Sequence, residues 1–275
     1  MDPPPYALPA RPATTKLPHM SAAPGTPPAA PAAAAPAGRP ARPAPPAPDL
    51  AERGGNGQRS DRRLFMQLLA FGNCHDVHPV IHAVQDAKID GAVYVDATDP
   101  YGVAVLAMHE DAAHFTDAFR RLLGDHTFRA LAPKPELTMF GRTYTLGYEP
   151  DVQETLFTRP RRTATNPDWP WAVWYPLRRS GAFAKLPDDE QRKILMEHGT
   201  IGHAFGAADL AHDIRLACFG LDRHDNDFVV ALVGRELHPL SAVVQAMRKT
   251  TQTSTYIDKL GPFFVGRRVW ASAMP

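Results

Sequence analysis

The chain has 275 residues, and its 30 Lys and Arg residues nearly balance its 29 Asp and Glu residues, for a formal net charge of +1. This balance excludes the strong positive field with which many proteins attract nucleic acid, so we expect no nucleic-acid partner. The two cysteines, Cys74 and Cys218, lie far apart, which indicates buried thiols in a reducing compartment. Because no segment has the pattern of a signal peptide or a membrane span, we expect a soluble, cytoplasmic protein.

The N-terminal segment has an unusual composition. More than half of the 29 prolines precede Leu50, and large apolar side chains are rare there. Burial therefore cannot offset the entropy that ordering such a segment costs. We predict that residues 1–60 form a disordered arm with some polyproline-II character, free to dock a partner that the sequence does not identify.

The first half of the remaining chain, residues 61–165, contains alternating and helical apolar periods. Strands are predicted at 63–71, 91–97 and 102–110 and near TFRALA and GRTYTLGYE, and helices at 77–87 and 111–123. The order of these elements, apart from one extra short strand, is β-α-β-β-α-β.

The same order returns in the second half, residues 166–275. Strands are predicted at 171–177, 212–222, 227–236 and 262–272, and helices at 187–198 and 239–249. Two successive β-α-β-β-α-β units predict an α+β fold with two ferredoxin-like modules side by side, of the dimeric α+β barrel type. Each antiparallel sheet has one face that needs burial, so we expect the two sheets to cover each other.

A histidine ends the predicted helix of the second half. His198 shares the apolar face of Ile194 and Leu195, a position that also suits a core histidine bonded to a backbone carbonyl. His203 lies about 140° further around a helix, which disfavours a zinc site formed by these two histidines. A single imidazole that faces an apolar pocket suits one axial ligand of a haem iron.

A second cluster combines aromatic and cationic residues. Tyr175 lies inside the strand WAVWYPL, and arginines follow it at 178 and 179, precede it in RPRR, and recur at 248. Any one of these arginines could be a solvated surface charge. Together they indicate a site for carboxylates, which the guanidinium group binds with fixed geometry. The phenol of Tyr175 is either a core side chain or a redox or proton donor.

A set of ordered motifs resembles the chlorite dismutase-like family. The motifs are YP-x-x-R at 175–179, LP-x-x-EQR at 186–192, HG-x-IG at 198–202, and MR…S-x-Y…GPFFVG from 247 to 266. They are most similar to the coproheme decarboxylase branch, also called hydrogen-peroxide-dependent haem synthase. The resemblance covers about residues 61–270 and implies a homopentamer that converts iron-coproporphyrin III and hydrogen peroxide to haem b.

The resemblance also implies roles for individual residues. His198 matches the proximal ligand of the haem iron, and Tyr175 matches a radical-forming tyrosine that takes hydrogen from a propionate before carbon dioxide leaves. The residues that match propionate-binding positions are Arg161, Arg179, Arg248 and Thr253. Counting from different motifs puts either Asp213 or Arg215 at the distal position, and the two share one face of a strand.

Two other functions stay open. An arginine at the distal position is typical of family members that decompose chlorite on a resident haem b, so Arg215 favours that alternative. A non-catalytic haem carrier or sensor is the other alternative, and it would bind haem without any need for Tyr175.

Overall fold

The structure, a computed structural model, describes residues 45–273. Residues 1–44 of the predicted arm therefore lie outside the described residues. Residues 48–273 belong to one compact unit.

The strands are β1 (Glu52–Arg53), β2 (Arg59–Ser60), β3 (Phe65–Gly72), β4 (Gly91–Asp96), β5 (Val103–His109), β6 (Ala132–Pro133), β7 (Met139–Arg142), β8 (Trp171–Arg179), β9 (His212–Ala217), β10 (Phe228–Gly234), β11 (Ile257–Leu260) and β12 (Phe264–Ala271). The helices are α1 (His78–Asp86), α2 (Ala113–Thr116), α3 (Ala118–Leu123), α4 (His126–Arg129), α5 (Arg159–Thr165), α6 (Asp188–Ala207), α7 (Leu237–Met247) and α8 (Thr251–Tyr256). A π-helical turn over Glu154–Thr158 leads directly into α5.

The main sheet closes on itself as a barrel. Its strand order is β10-β9-β7-β3-β5-β4-β12-β8, and β8 pairs again with β10. Within it, β7-β3-β5-β4 and β12-β8-β10-β9 each have the strand order of one ferredoxin-like module, which confirms the predicted fold class. The modules meet where β4 pairs with β12 and β7 with β9. The boundary predicted at residue 165 falls in the connection between α5 and β8.

The alternation of each strand divides its side chains between two cores. Inward-facing residues such as Met66, Leu106 and Trp174 fill the barrel and are almost completely buried. On the outside, Phe115 and Phe119 of the short helices cover the first module. Helices α6 and α7 cover the outer face of the second module, and this face carries the candidate site.

Three predicted strands are wrong in part, and one of them, predicted at 212–222, ends with β9 at Ala217. TFRALA contains α4 and reaches extended structure only at β6, because the Asp125 carboxylate accepts a hydrogen bond from the Thr127 N–H at 2.8 Å and caps a helix. In the GRTYTLGYE segment, only its first two residues belong to β7. The rest leaves the sheet as a loop.

Helix α6 is longer than predicted. It continues past His198 to Ala207, although Gly199 and Gly202 resemble stop signals. Ile201 and Phe205 pack against the core beneath α7, and this burial outweighs the cost of the glycines. His198 is therefore a mid-helix residue. In the part of the chain from residue 45 to 273, no helix combines the length and the apolar character needed to cross a bilayer.

The last part of the predicted arm is ordered. Residues 52–60 form a hairpin in which β1 and β2 pair antiparallel, with Glu52 opposite Ser60. This segment carries polar side chains that find partners in the domain. One of them, Glu52, forms an ion pair with Arg142 at 2.7 Å.

Candidate functional site

Three adjacent strands place the predicted residues in one row. Val230 of β10 pairs with Tyr175 of β8 on one side and with Arg215 of β9 on the other. Directly paired residues share one face of a sheet, so Tyr175 and Arg215 both lie on the outer face of the barrel. Asp213 lies on the same face, two residues before Arg215 on β9.

Helix α6 lies over this outer face. Ile201 and Phe205 contact the buried cluster that contains Tyr175 and Val173. His198 precedes Ile201 by three residues, so it lies on the same side of the helix, about one turn earlier. Within α6 the only buried residue is Ile194, so most of this helix is partly or fully exposed.

The imidazole of His198 has one protein partner on its Nδ1 side. Nδ1 lies 3.3 Å from Oγ1 of Thr250, and that hydroxyl donates to the Met247 carbonyl at 2.8 Å. The Thr250 oxygen can therefore accept a hydrogen bond from Nδ1–H, which leaves Nε2 with a free lone pair. Burial, and then the charges of Arg179 and Arg215, lower the pKa of His198, so the ring is neutral at pH 7.

The phenol of Tyr175 is buried next to another aromatic ring. The side chain is 8% exposed and stacks on Phe263, with ring centroids 4.8 Å apart. Burial, reinforced by the Asp213 carboxylate, raises the pKa of Tyr175. The phenol therefore keeps its proton across the physiological range.

Arg179 is held in place by two aromatic rings. Its guanidinium carbon lies 4.6 Å from the ring centroid of Phe183 and 4.9 Å from that of Phe228. Burial lowers the pKa of Arg179, but the group stays charged at neutral pH. Among the residues that the structure describes, its buried Nε has no hydrogen-bond partner.

The two candidates for the distal position form an ion pair with each other. Nε of Arg215 lies 2.7 Å from Oδ2 of Asp213, and both side chains are partly exposed. The structure therefore brings both residues to the site. The carboxylate neutralises much of the charge that Arg215 presents to the outer face.

A cleft of about 330 Å³ opens beside Arg215. Its lining includes Asp213, Arg215, Arg159 at the start of α5, and Tyr144 in the loop after β7. Burial raises the pKa of Tyr144, while Arg215 and Arg179 oppose that shift, so this phenol lies near both guanidinium groups. The sequence analysis did not identify Tyr144, and it included Arg159 only as one of the arginines of RPRR. Both belong to segments whose path the apolar periods did not predict.

Arg161 points elsewhere. Its Nε donates to Oδ2 of Asp90 at 2.9 Å, and it lines a different cavity, beside Trp270 and Ser272. Two residues on a helix differ by about 200°, so Arg159 and Arg161 face opposite sides of α5. Arg159 therefore lines the cleft, whereas Arg161, the residue that the motif predicts, faces away from it.

The remaining predicted residues lie at the end of α7 and in α8. Thr253 donates its backbone N–H to Oγ1 of Thr250 at 3.4 Å, next to the contact with His198. Arg248 caps α7 and is exposed to solvent. Within residues 45–273, no ion pair involves Arg248, so its charge is available to a ligand.

These residues fit an iron porphyrin that carries carboxylates. A neutral imidazole with a free Nε2 is a suitable axial ligand, and α6 lies over an apolar and aromatic sheet face. The orphaned donor of Arg179 needs an acceptor such as a carboxylate oxygen. In the described residues, no three His, Cys, Asp or Glu side chains lie together as a metal-binding group.

Several known proteins resemble this chain in sequence or in fold. A coproheme decarboxylase of Mycolicibacterium smegmatis is 24% identical over 198 residues, which are 67% of this chain and 81% of that protein. A heme-binding protein from Thermus thermophilus superposes with a TM-score of 0.58 at 17% identity, over 75% of this chain and 93% of that one. The chlorite dismutase of Candidatus Nitrospira defluvii, in complex with imidazole, has a TM-score of 0.59 at 14% identity, over 76% and 92%.

The two structural likenesses extend the agreement in fold to nearly the whole length of those chains. The model of the chlorite dismutase family matches residues 82–269, which include every strand from β4 to β11 and most of β12, α6 with His198, and the row from Tyr175 to Arg215. Because this match spans well over half of the sequence, the chain belongs to the chlorite dismutase family.

Proposed function

We propose that this protein binds iron-coproporphyrin III between α6 and the outer face of β8, β10 and β9, and uses hydrogen peroxide to decarboxylate it to haem b. The observation that carries the proposal is the convergence of three features on one sheet face. They are a neutral histidine, a buried phenol and a set of cations with free donors. The similarity to the coproheme decarboxylase of Mycolicibacterium smegmatis supports the same reaction.

The histidine and its partner provide the attachment. His198 would ligate iron through Nε2, while Thr250 holds Nδ1–H and so fixes the orientation of the ring. A neutral ring needs no deprotonation before it binds. The bound substrate, on reaction with hydrogen peroxide, supplies the oxidising equivalents.

The cations select a substrate with many carboxylates. Coproheme carries four propionates, and haem b retains two of them. Arg159 and Arg215 offer guanidinium groups to carboxylates in a partly dry cleft, where such hydrogen bonds are strong. Arg179 offers a buried Nε–H that has no partner among the described residues. Loss of two carboxylates removes part of this binding, which favours release of the product.

Tyr175 is the proposed reactive residue. Because its phenol stays protonated, Tyr175 can lose an electron and a proton together and become a radical that takes a hydrogen atom from the β-carbon of a propionate. Carbon dioxide then leaves, a further electron is removed, and a vinyl group remains. The stacked ring of Phe263 holds the phenol in a fixed orientation.

The test is a product analysis. Purified protein is loaded with iron-coproporphyrin III, titrated with hydrogen peroxide, and its porphyrins are identified by liquid chromatography and mass spectrometry. Stepwise loss of two carboxyl groups that ends at haem b is the expected result. Unchanged or merely bleached coproheme would contradict the proposal, and haem binding without turnover would favour a carrier or sensor.

A second candidate is chlorite decomposition on haem b. The position of Arg215, in one row with Tyr175 on the outer face, favours it, since that reaction needs a cation beside the iron. The ion pair with Asp213 opposes it. Oxygen release from chlorite by the haem b-loaded protein, measured with an oxygen electrode, distinguishes the two reactions.

The family resemblance leads us to propose a cytoplasmic homopentamer as well. Sedimentation velocity of the purified chain would show a mass five times that of the 30.1 kDa monomer. A monomer or dimer at micromolar concentration would exclude the pentamer.

A further inference from the structure

A short hairpin precedes the family-matched region and contacts a loop that lines the cleft. We call residues 49–60 the N-terminal hairpin, and residues 143–152, which follow β7, the wall loop. Glu52 of the hairpin accepts hydrogen bonds from the wall loop at the Thr145 backbone N–H, at 3.0 Å, and at the Thr145 hydroxyl, at 3.2 Å. Its other oxygen pairs with Arg142 at 2.7 Å, at the end of β7 where the loop begins.

Further contacts join the hairpin to the other end of the wall loop. The Gln58 side chain donates to the Pro150 carbonyl at 2.5 Å and accepts from the Val152 N–H at 3.0 Å. The Gly55 N–H donates to the Glu149 carbonyl at 2.8 Å. A Cβ on Gly54 would overlap the Val152 side chain and lie 2.9 Å from that same carbonyl oxygen, so only glycine fits here.

The wall loop forms one side of the cleft. Tyr144, Leu146, Tyr148 and Glu149 all line it, opposite Asp213 and Arg215. The loop carries no strand or helix of its own, so its backbone donors and acceptors depend on side chains for partners. Glu149 caps the tip by accepting from the Gly147 N–H at 2.9 Å, and the hairpin holds both ends.

We infer that the N-terminal hairpin is a positioning element of the substrate site: Glu52 and Gln58 clamp the wall loop so that Tyr144 faces the arginines of the cleft. The assignment to a substrate site rests on the proposed function, whereas the clamp itself does not. Glu52 and Gln58 act through the loop and do not touch the outer face where Tyr175 lies.

Hydrogen exchange on the ligand-free, full-length protein tests the clamp. In Glu52→Ala and in Gln58→Ala, amides of residues 145–152 should exchange at least tenfold faster than in the wild type, while amides of β3 and β5 keep their rates. Arg53→Ala is the matched control, because Arg53 belongs to the same hairpin but, among the described residues, pairs only with Asp49. Glu52→Gln retains an acceptor for Thr145 and should restore part of the protection.

Binding and turnover test the consequence for the site. With zinc coproporphyrin III, a redox-inert probe, Glu52→Ala should raise Kd about tenfold by fluorescence titration, and Arg53→Ala should leave Kd unchanged. With iron-coproporphyrin III, KM should rise while kcat is kept, since the residues at the reacting carbon are intact.

The outcomes separate the two ideas. Wild-type exchange rates in residues 145–152 of both alanine variants would overturn the clamp. Faster exchange of the loop together with an unchanged Kd would overturn its role in the substrate site. Failure of the wild type to bind either porphyrin would sink the proposed function, and the exchange result would still decide the clamp.

Discussion

The Nδ1 atom of His198 and the Thr250 hydroxyl oxygen are 3.3 Å apart, although 52 residues separate them in the chain. Because Thr250 donates its own proton to the Met247 carbonyl, we expect His198 to carry its proton on Nδ1. Thr250→Val should remove this preference, so that the nitrogen-15 shifts of the ring in the ligand-free protein move towards those of a mixed tautomer. Coproheme affinity should fall by one to two orders of magnitude, as for other partners of metal ligands.

Thr250→Ser is the matched control. It keeps the hydroxyl that caps α8, whereas valine also loses that cap, at a cost of about 1 kcal/mol in unfolding free energy. The serine variant should retain both the nitrogen shifts and the affinity. If valine leaves the shifts as they are, Thr250 does not determine the tautomer.

Tyr175→Phe should separate binding from chemistry. The hydroxyl has no hydrogen-bond partner among the described residues, so its removal should change the unfolding free energy by less than about 1 kcal/mol. The variant should bind coproheme with a normal absorption spectrum and yet produce no haem b with peroxide. Normal turnover by this variant would exclude Tyr175 as the reactive residue.

Tyr144→Phe is the control for Tyr175→Phe, because it removes a second phenol near the site. Tyr144 lies near Arg179 and Arg215 but on the wall of the cleft, so the change should weaken coproheme binding several-fold and leave decarboxylation intact at saturation. Equal loss of turnover in both variants would point to a general disturbance of the site.

Arg159 and Arg161 offer a matched pair on one helix. Arg159→Ala should raise the Kd for coproheme about tenfold, equivalent to about 1.4 kcal/mol. Arg161→Ala should leave Kd unchanged and instead lower the unfolding free energy by roughly 1–3 kcal/mol, because it leaves Asp90 without its charged partner. Absorption titration and urea unfolding measure the two effects. The reverse pattern would support Arg161 as the propionate-binding residue, as the sequence motif predicts.

Arg159 and Arg161 also show which features of the fold the sequence can predict and which it cannot. The order of elements and the fold class follow from apolar periods that repeat in both halves, and these periods are local. Closure of the barrel depends on contacts such as the single pairing of Arg142 with Ala217, which no local pattern encodes. Helix α5 lies next to such a junction, so the side of the helix that faces the cleft could not be derived.

The site was predictable to the same degree. His198 and Tyr175 lie in ordered motifs within elements of strong periodicity, and the structure brings them to one face. Thr250 and Tyr144 were missed because a capping residue and a loop residue have no periodic signal. Gln58 and Glu52 lay in a segment interpreted as part of a disordered arm, since composition does not show which polar side chains have partners.

Arg215→Ala decides between the two reactions. Its loss leaves Asp213 without its ion-pair partner at 2.7 Å, so we expect a moderate loss of coproheme affinity with decarboxylation retained. Chlorite decomposition by the haem b-loaded protein, if the wild type performs it, should disappear in this variant. Full loss of decarboxylation in Arg215→Ala, with Kd unchanged, would contradict the role of Arg215 as a binding residue.

The first module contains a titratable pair far from the candidate site. The rings of His109 and His114 stack with centroids 4.3 Å apart and planes 8° from parallel, and Nε2 of His114 is buried with no partner in the described residues. Burial, followed by the neighbouring His109, lowers the pKa of His114, although Asp111 and Asp90 oppose the shift. Protonation therefore favours the unfolded chain, where this histidine has its ordinary pKa of about 6.5.

The unfolding free energy should therefore decrease as the pH falls below about 6.5. Above the ordinary pKa neither state binds the proton, and the stability of the packed pair is fully present. As the pH falls through about 6.5 towards the lower folded pKa, the unfolded state binds the proton first and the unfolding free energy decreases. Urea unfolding between pH 5 and 8 should show this slope, and His114→Gln should reduce it. The exposed His82 is the control, since His82→Gln should leave the slope as it is, and an equal slope in wild type and His114→Gln would assign the pH dependence to other groups.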